Sequence, residues 1–225
     1  MEDLLTLRNR AAVVVGAASA IGSATAQIPA EAGARVAVVD RDPVSTPDLA
    51  ATLAAAAGET LPFPGDPDDP RLPARVVAEV IGRFGGLHIL LMMEAAPAAA
   101  QAWVHAAEEP LRHPGPARIL CLVPMAARYG LPGAADQAAS GGSLIALCRT
   151  WDRELGPHRV TSNAVVPGLI GDDPACPIPP AVLPRIHAGR AGRAREVASV
   201  FLYLASDLAG FVNGAVVGVD GGLLL

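Results

Sequence analysis

Val13-Val14-Val15-Gly16-Ala17-Ala18-Ser19-Ala20-Ile21-Gly22, VVVGAASAIG, is the stretch that decides the fold. The β-branched run Ala11–Val15 ends in Gly16, the pattern of a strand buried on both faces. A helical stretch over Ser19–Ile28 follows at once. Glycine at the strand end permits a tight turn, and Gly22 permits close approach of helix to sheet. Backbone N–H groups at the start of that helix can hold a pyrophosphate. A lone glycine pattern is weak, but here the strand before it and the helix after it make it specific. Asp40 ends a second strand, Arg35–Asp40, 18 residues beyond Gly22. A carboxylate there accepts hydrogen bonds from ribose hydroxyls and repels a 2′-phosphate. NAD is therefore expected over NADP, although Arg41 follows directly.

The alternation continues outward from this unit. Helices are predicted near Asp48–Ala57 and over Leu72–Phe84, Ser140–Leu155 and Glu196–Ala205. Strands are predicted near Glu59–Phe63 and over Leu87–Met93, Arg118–Val123, Arg159–Val165 and Ala215–Val219. Alternating strands and helices imply a doubly wound parallel sheet, a Rossmann-type three-layer α/β/α fold. Residues 1–225 read as one domain with no internal repeat. The notable loop is Gly171–Pro184, whose five prolines suit neither a helix interior nor a central strand.

Composition narrows the function classes. Hydrophobic residues make up 52% and charged residues 17%, which specifies a globular chain. A net charge of −5 offers no electrostatic footprint for nucleic acid or an anionic membrane. No apolar run reaches the ~18 residues of a membrane span. Cys121, Cys148 and Cys176 are too few and too scattered for a disulfide framework or a zinc site. The expectation is a soluble, cytoplasmic protein. All 17 basic residues are arginine, and lysine is absent.

From about Arg8 to Gly222 the chain resembles the short-chain dehydrogenase/reductase family. The likeness rests on VVVGAASAIG, on FPGDPDD at Phe63–Asp69, and on SNAVVPGLI at Ser162–Ile170. The ending GRAGRAREVASVFLYLASDLAGFVNGAVVGVDGG is its most specific part. The resemblance implies that Gly16, Ser19, Ile21 and Gly22 shape the pyrophosphate turn and that Asp40 meets the ribose. It also implies that Asp66 meets the adenine amino group and that Pro167-Gly168 lies beside the nicotinamide.

The chemistry that this resemblance implies is reversible hydride transfer assisted by a tyrosine acid/base. A lysine four residues on tunes the phenol, a serine orients the substrate oxygen and an asparagine supports a water relay. In GAADQAASGGSLIALCR, Gln137 stands at the tyrosine position and Gly141 at the lysine position. After RILCLV the serine position is Pro124. The turn after the fourth strand reads Met92-Met93-Glu94-Ala95 in place of Asn-Asn-Ala-Gly. Only 30 residues lie between Met93 and Pro124, and Asp172 replaces the threonine expected after Pro167-Gly168. The fingerprint's middle glycine is Ala20, and Pro29 sits within the first helix, where an interior proline costs ~3 kcal/mol. These last two departures weaken the expected grip on NAD or remove it.

Other side chains offer little replacement chemistry. Tyr129, five residues after Pro124, is a candidate acid with only Arg128 near it in sequence, or else a half-buried loop residue. Asp136 beside Gln137 is a candidate base or simply a helix N-terminal acid. Glu94 reads as a solvated acid, Cys121 as core, and His105 and His113 as surface residues flanking a short helix. Three readings follow: a catalytically silent subunit that still binds NAD, an enzyme with remodelled chemistry in the old cleft such as cyclisation, isomerisation or dehydration, and an atypical NAD(P)-dependent oxidoreductase. Partners expected are a second copy or an active family member, with a small-molecule ligand also open. Because Pro97, Pro110, Pro114 and Pro116 crowd the segment before Pro124, dimerisation is expected through the C-terminal helix, final strand and Leu223–Leu225.

Overall fold

The computed structural model describes residues 4–57, 59–93, 95–113, 115–171 and 180–223. Among them run Ala11–Val15 (β1), Ala20–Glu31 (α1), Arg35–Asp40 (β2), Ser45–Ala57 (α2), Thr60–Pro64 (β3) and Leu72–Phe84 (α3). Ile89–Met92 (β4), Pro97–Arg112 (α4), Ala117–Leu122 (β5), Ala126–Tyr129 (α5) and Ala135–Leu155 (α6) follow. Val160–Pro167 (β6), Ala194–Ala205 (α7) and Val216–Val219 (β7) complete the order. The strands form one parallel sheet ordered β3-β2-β1-β4-β5-β6-β7. This is the doubly wound three-layer fold that the alternation predicts.

Alternate side chains on each strand feed opposite cores. Val13, Leu90 and Ile119 meet α3, α4 and α6 through Val76, Trp103 and Leu144. Val14, Leu91 and Leu120 meet α1, α2 and α7 through Ala26, Leu53 and Phe201. Burial on both faces explains why the strands read as continuous apolar runs rather than as alternating ones. Strand order reverses between β1 and β4, so the crevice outside their carboxyl ends is where such sheets bind ligands.

Three expectations need correction. The helix before Pro124 is not short: α4 runs 16 residues, with His105 inside it and His113 at its C-cap. Pro97 occupies the first turn, where its missing N–H costs nothing, and Pro110 lies in the last turn. Trp103 anchors α4, fully buried, with Nε1–H donating to the Pro67 carbonyl at 3.1 Å. Helix α6 begins at Ala135 rather than Ser140, so Gln137 and Gly141 ride the same helix. Pro29 does lie inside α1, as expected, in its last turn and away from the glycine turn at its start. Leu223 is buried within its own chain, bridged to Ile186, and is no exposed tail. Glu94, Pro114, Asp172, Cys176, Leu224 and Leu225, with most of the proline-rich loop, lie outside the described residues.

Candidate functional site

The carboxyl edge of the sheet gathers the predicted site residues. Gly16 leaves β1 with φ of 79°, a left-handed conformation that glycine adopts without steric cost. Its N–H donates to the Val39 carbonyl at 2.9 Å, tying the turn to β2. Ser19 caps α1: its Oγ accepts the Gly22 N–H at 3.0 Å, in the usual N-cap manner. Gly22 has no room for a side chain, since a Cβ would stand 2.2 Å from the Gly16 carbonyl oxygen and 2.9 Å from Ser19 Oγ. Ile21 is half-buried and packs toward the β1–β2 core. The turn is therefore held by main chain and one hydroxyl, at the positive end of the helix dipole.

Asp40 stands where the turn can use it. Its Oδ2 accepts the Ala18 N–H at 2.8 Å, which fixes the carboxylate across the mouth of the turn. Asp66 is engaged on the protein itself: Oδ1 accepts from the Asp68 N–H and from Arg41 Nε, each at 3.0 Å. Arg41 also reaches Asp68 at 2.7 Å. The basic neighbour of Asp40 is thus drawn toward the loop after β3. Sequence alone did not show this clamp, because its members lie 25 and 27 positions apart.

On the other side of the crevice, Pro167 pairs in register with Val219, and the Gly168 N–H donates to the Val219 carbonyl at 2.9 Å. A Cβ on Gly168 would meet Asp220 Cα at 2.6 Å, so the β6 loop lies directly on the end of β7. Pro124 is half-buried just after β5, and Gln137 and Asp136 are exposed in the first turn of α6. Gly141 is buried one turn further on. A Cβ there would sit 2.6 Å from Ala127 Cβ, 3.0 Å from Val123 Cγ1 and 3.1 Å from Pro124 Cδ. Helix α5 and the β5 loop fill the space above this position.

Tyr129 ends α5, and its hydroxyl donates to the Asp220 carboxylate. Burial and that carboxylate push the phenol above its usual range, with Arg128 opposing weakly. The hydrogen bond in turn holds the Asp220 carboxyl below its usual value. Such a phenol donates hydrogen bonds but does not readily ionise near neutral pH. Cys121 is fully buried beside Cys148, and the contact and burial push its thiol well up. Among the described residues no cluster of His, Cys, Asp or Glu is placed to hold a metal ion, and no helix is long and apolar enough to cross a membrane.

The chain as a whole is similar to known proteins. Residues 92–224 match a family model described as enoyl-(acyl carrier protein) reductase, and residues 10–109 match the short chain dehydrogenase model. An uncharacterized short-chain type dehydrogenase/reductase of Sinorhizobium fredii is 30% identical across 98% of this chain and 100% of its own length. A 3-oxoacyl-[acyl-carrier-protein] reductase of Thermotoga maritima is 42% identical over 101 residues, 43% of this chain and 41% of that protein. A short chain dehydrogenase from Burkholderia cenocepacia, solved in complex with NADP, superposes with a TM-score of 0.87 at 26% identity, covering 96% of this chain and 98% of that one. The chain belongs to the short-chain dehydrogenase/reductase family, whose named relatives are dehydrogenases and reductases.

Proposed function

We propose that this chain is a redox-silent member of its family that holds NAD and serves as a binding or regulatory subunit. The observation that carries this reading is the filled space at Gly141. Hydride transfer to a carbonyl needs a proton delivered to the developing alkoxide and a cation that tunes its donor. Gln137 has no proton to transfer at working pH, and Pro124 has no hydroxyl to orient a substrate oxygen. A Cβ at position 141 would already press on Ala127, Val123 and Pro124, so the root of a long cation there is crowded. No other lysine can take that place, since the chain contains none.

The nucleotide half supports binding. When bound, NAD would supply a hydride-accepting ring. The turn from Gly16 to Gly22 would receive its pyrophosphate on main-chain N–H groups, and Asp40 would accept from the adenosine ribose hydroxyls. The decisive assay follows NADH and NADPH consumption with a panel of ketones and aldehydes. No turnover above buffer is expected, and rates near those of active relatives would overturn the proposal in favour of an atypical oxidoreductase.

A second reading, non-redox chemistry in the old cleft, is favoured by one observation. The Tyr129 hydroxyl is fixed by Asp220 and could polarise a substrate oxygen. Tyr129→Phe should then abolish any isomerase or dehydratase turnover found in a substrate screen.

For assembly we propose a dimer, with itself or with an active relative, through the free edge of β7 and the exposed Tyr203 on α7. Light scattering should give twice the chain mass, and Tyr203→Glu should lower it. A stable monomer would overturn this arrangement.

A further inference from the structure

At the opposite edge of the sheet, where β5 and β6 begin, a cleft of about 640 Å³ opens between Arg118, Arg159, Thr161, Asp207, Phe211 and Asn213. Its floor holds an unusual charge. Arg118 is only 1% exposed. Its guanidinium donates to the carbonyls of Ala117 at 2.9 Å and Ser206 at 3.0 Å, while its Nε has no partner. The nearest carboxylate, Asp207, is 3.9 Å away and is also bound by Arg10. Burial and the neighbouring Arg10 push the Arg118 guanidinium down to about 10. The buried Thr161 hydroxyl beside it likewise has no partner.

The rim adds two further features. Arg159, the left-handed C-cap of the 3-10 turn Gly156–His158 with φ of 65°, has an exposed guanidinium that enters no ion pair among the described residues. Phe211 is wholly exposed, an aromatic ring with no apolar cover from its own chain. Asp207 thus serves both Arg10 and Arg118, and Arg159 adds a guanidinium with no carboxylate partner of its own among the described residues. Guanidinium forks match phosphate oxygens in geometry as well as charge. The volume falls within the range of small-molecule sites.

We propose that this cleft binds a phosphate monoester carrying a flat ring. The dianion lies between Arg159 and the buried Arg118, and the ring stacks on Phe211. This site is separate from the nucleotide crevice at the other end of the strands, so it does not depend on NAD binding.

Titration calorimetry at low salt with phenyl phosphate, inorganic phosphate and benzoate tests the assignment. Phenyl phosphate should bind about fivefold tighter than inorganic phosphate, from ring stacking, and benzoate should bind weakest. Arg159→Ala should weaken both phosphates about tenfold, the effect of losing one charge-assisted hydrogen bond. Phe211→Ala should remove the preference for the ring. Both side chains are exposed, so circular dichroism should show an unchanged fold. Three results would overturn the proposal. One is no phenyl phosphate binding at millimolar concentration. Another is binding indifferent to Arg159→Ala, which would place the anion at the glycine turn of α1. The third is a fall in particle mass on Phe211→Ala, which would mean that a second copy covers the ring.

Discussion

The two halves of the crevice keep different kinds of information. From Gly16 to Asp40 the groups proposed to meet a nucleotide are main-chain N–H bonds, one capping hydroxyl and a carboxylate fixed by an amide. From Pro124 to Gly141 the chemistry that the resemblance implies depends on three side chains, and on the proposed reading Pro124, Gln137 and Gly141 stand in their places. The difference teaches where each function is stored. Backbone geometry persists as long as the strand–turn–helix unit folds, because the same bonds hold both structure and site. Proton transfer rests on a few atoms that contribute little to folding, so those atoms can be replaced without loss of the sheet. Here Ala127 and Pro124 stand over Gly141 and leave little room for a side chain.

A pair of glycine substitutions should separate the halves most sharply. Gly22→Ala places a Cβ 2.2 Å from a backbone oxygen, which cannot yield cheaply. A cost of about 3 kcal/mol in urea unfolding is expected, with loss of any NAD binding. Gly141→Lys meets side chains instead, Ala127 on the four-residue α5 and Val123 and Pro124 in the segment after β5. Overpacking of about 2 kcal/mol, offset by about 1 kcal/mol of improved helix propensity, gives a net loss of about 1 kcal/mol. Combined with Gln137→Tyr, it should not create ketone reduction. Activity in that double variant would break the comparison, because it would mean that only side chains were missing and not the space.

A smaller effect is expected at Asp40. If it holds the ribose, Asp40→Ala should weaken NAD about tenfold and narrow the gap to NADP, since the repulsion of a 2′-phosphate disappears. Calorimetry with both nucleotides reads this directly. Equal or tighter NADP binding by the native chain would count against Asp40 and turn attention to Arg41.

Sequence showed the first half well because its signals are contiguous: Gly16, Ser19 and Gly22 fall within seven residues, and Asp40 closes the next strand. It showed less of the second half. Pro97 and Pro110 look like breakers until their places in the first and last turns of α4 are known. The bond between Tyr129 and Asp220 joins positions 91 apart, and nothing local to either residue announces it. At Gly141 the resemblance implies a lysine position, but only packing shows how closely Ala127, Val123 and Pro124 surround it. Arg118 opens an apolar strand, and nothing local to it signals that the fold buries it under Ser206 and Asp207.

The smallest effect expected lies on the seam between the halves, where β4 joins β1. His88 precedes β4, half-buried, and its Nδ1 accepts the Ala11 N–H at 3.2 Å. Burial, with Arg10 and Arg35 nearby, holds its pKa below the usual 6.5. Acceptance at Nδ1 requires the neutral ring, so protonation would remove this bond and add a third positive charge. The unfolded chain takes up the proton first as pH falls, because its histidine titrates at the ordinary value. Stability is therefore full above about pH 6.5, declines as pH drops from there toward the folded pKa, and levels off below it. Urea unfolding from pH 7.5 to 5 should show that decline, and His88→Gln, whose amide oxygen can also accept the Ala11 N–H, should flatten it. Because the seam supports both halves equally, the decline should have the same midpoint whether followed near Trp103 or near the glycine turn. Two different midpoints would mean that the halves unfold separately, and the contrast between them would then be one of stability as well as of chemistry.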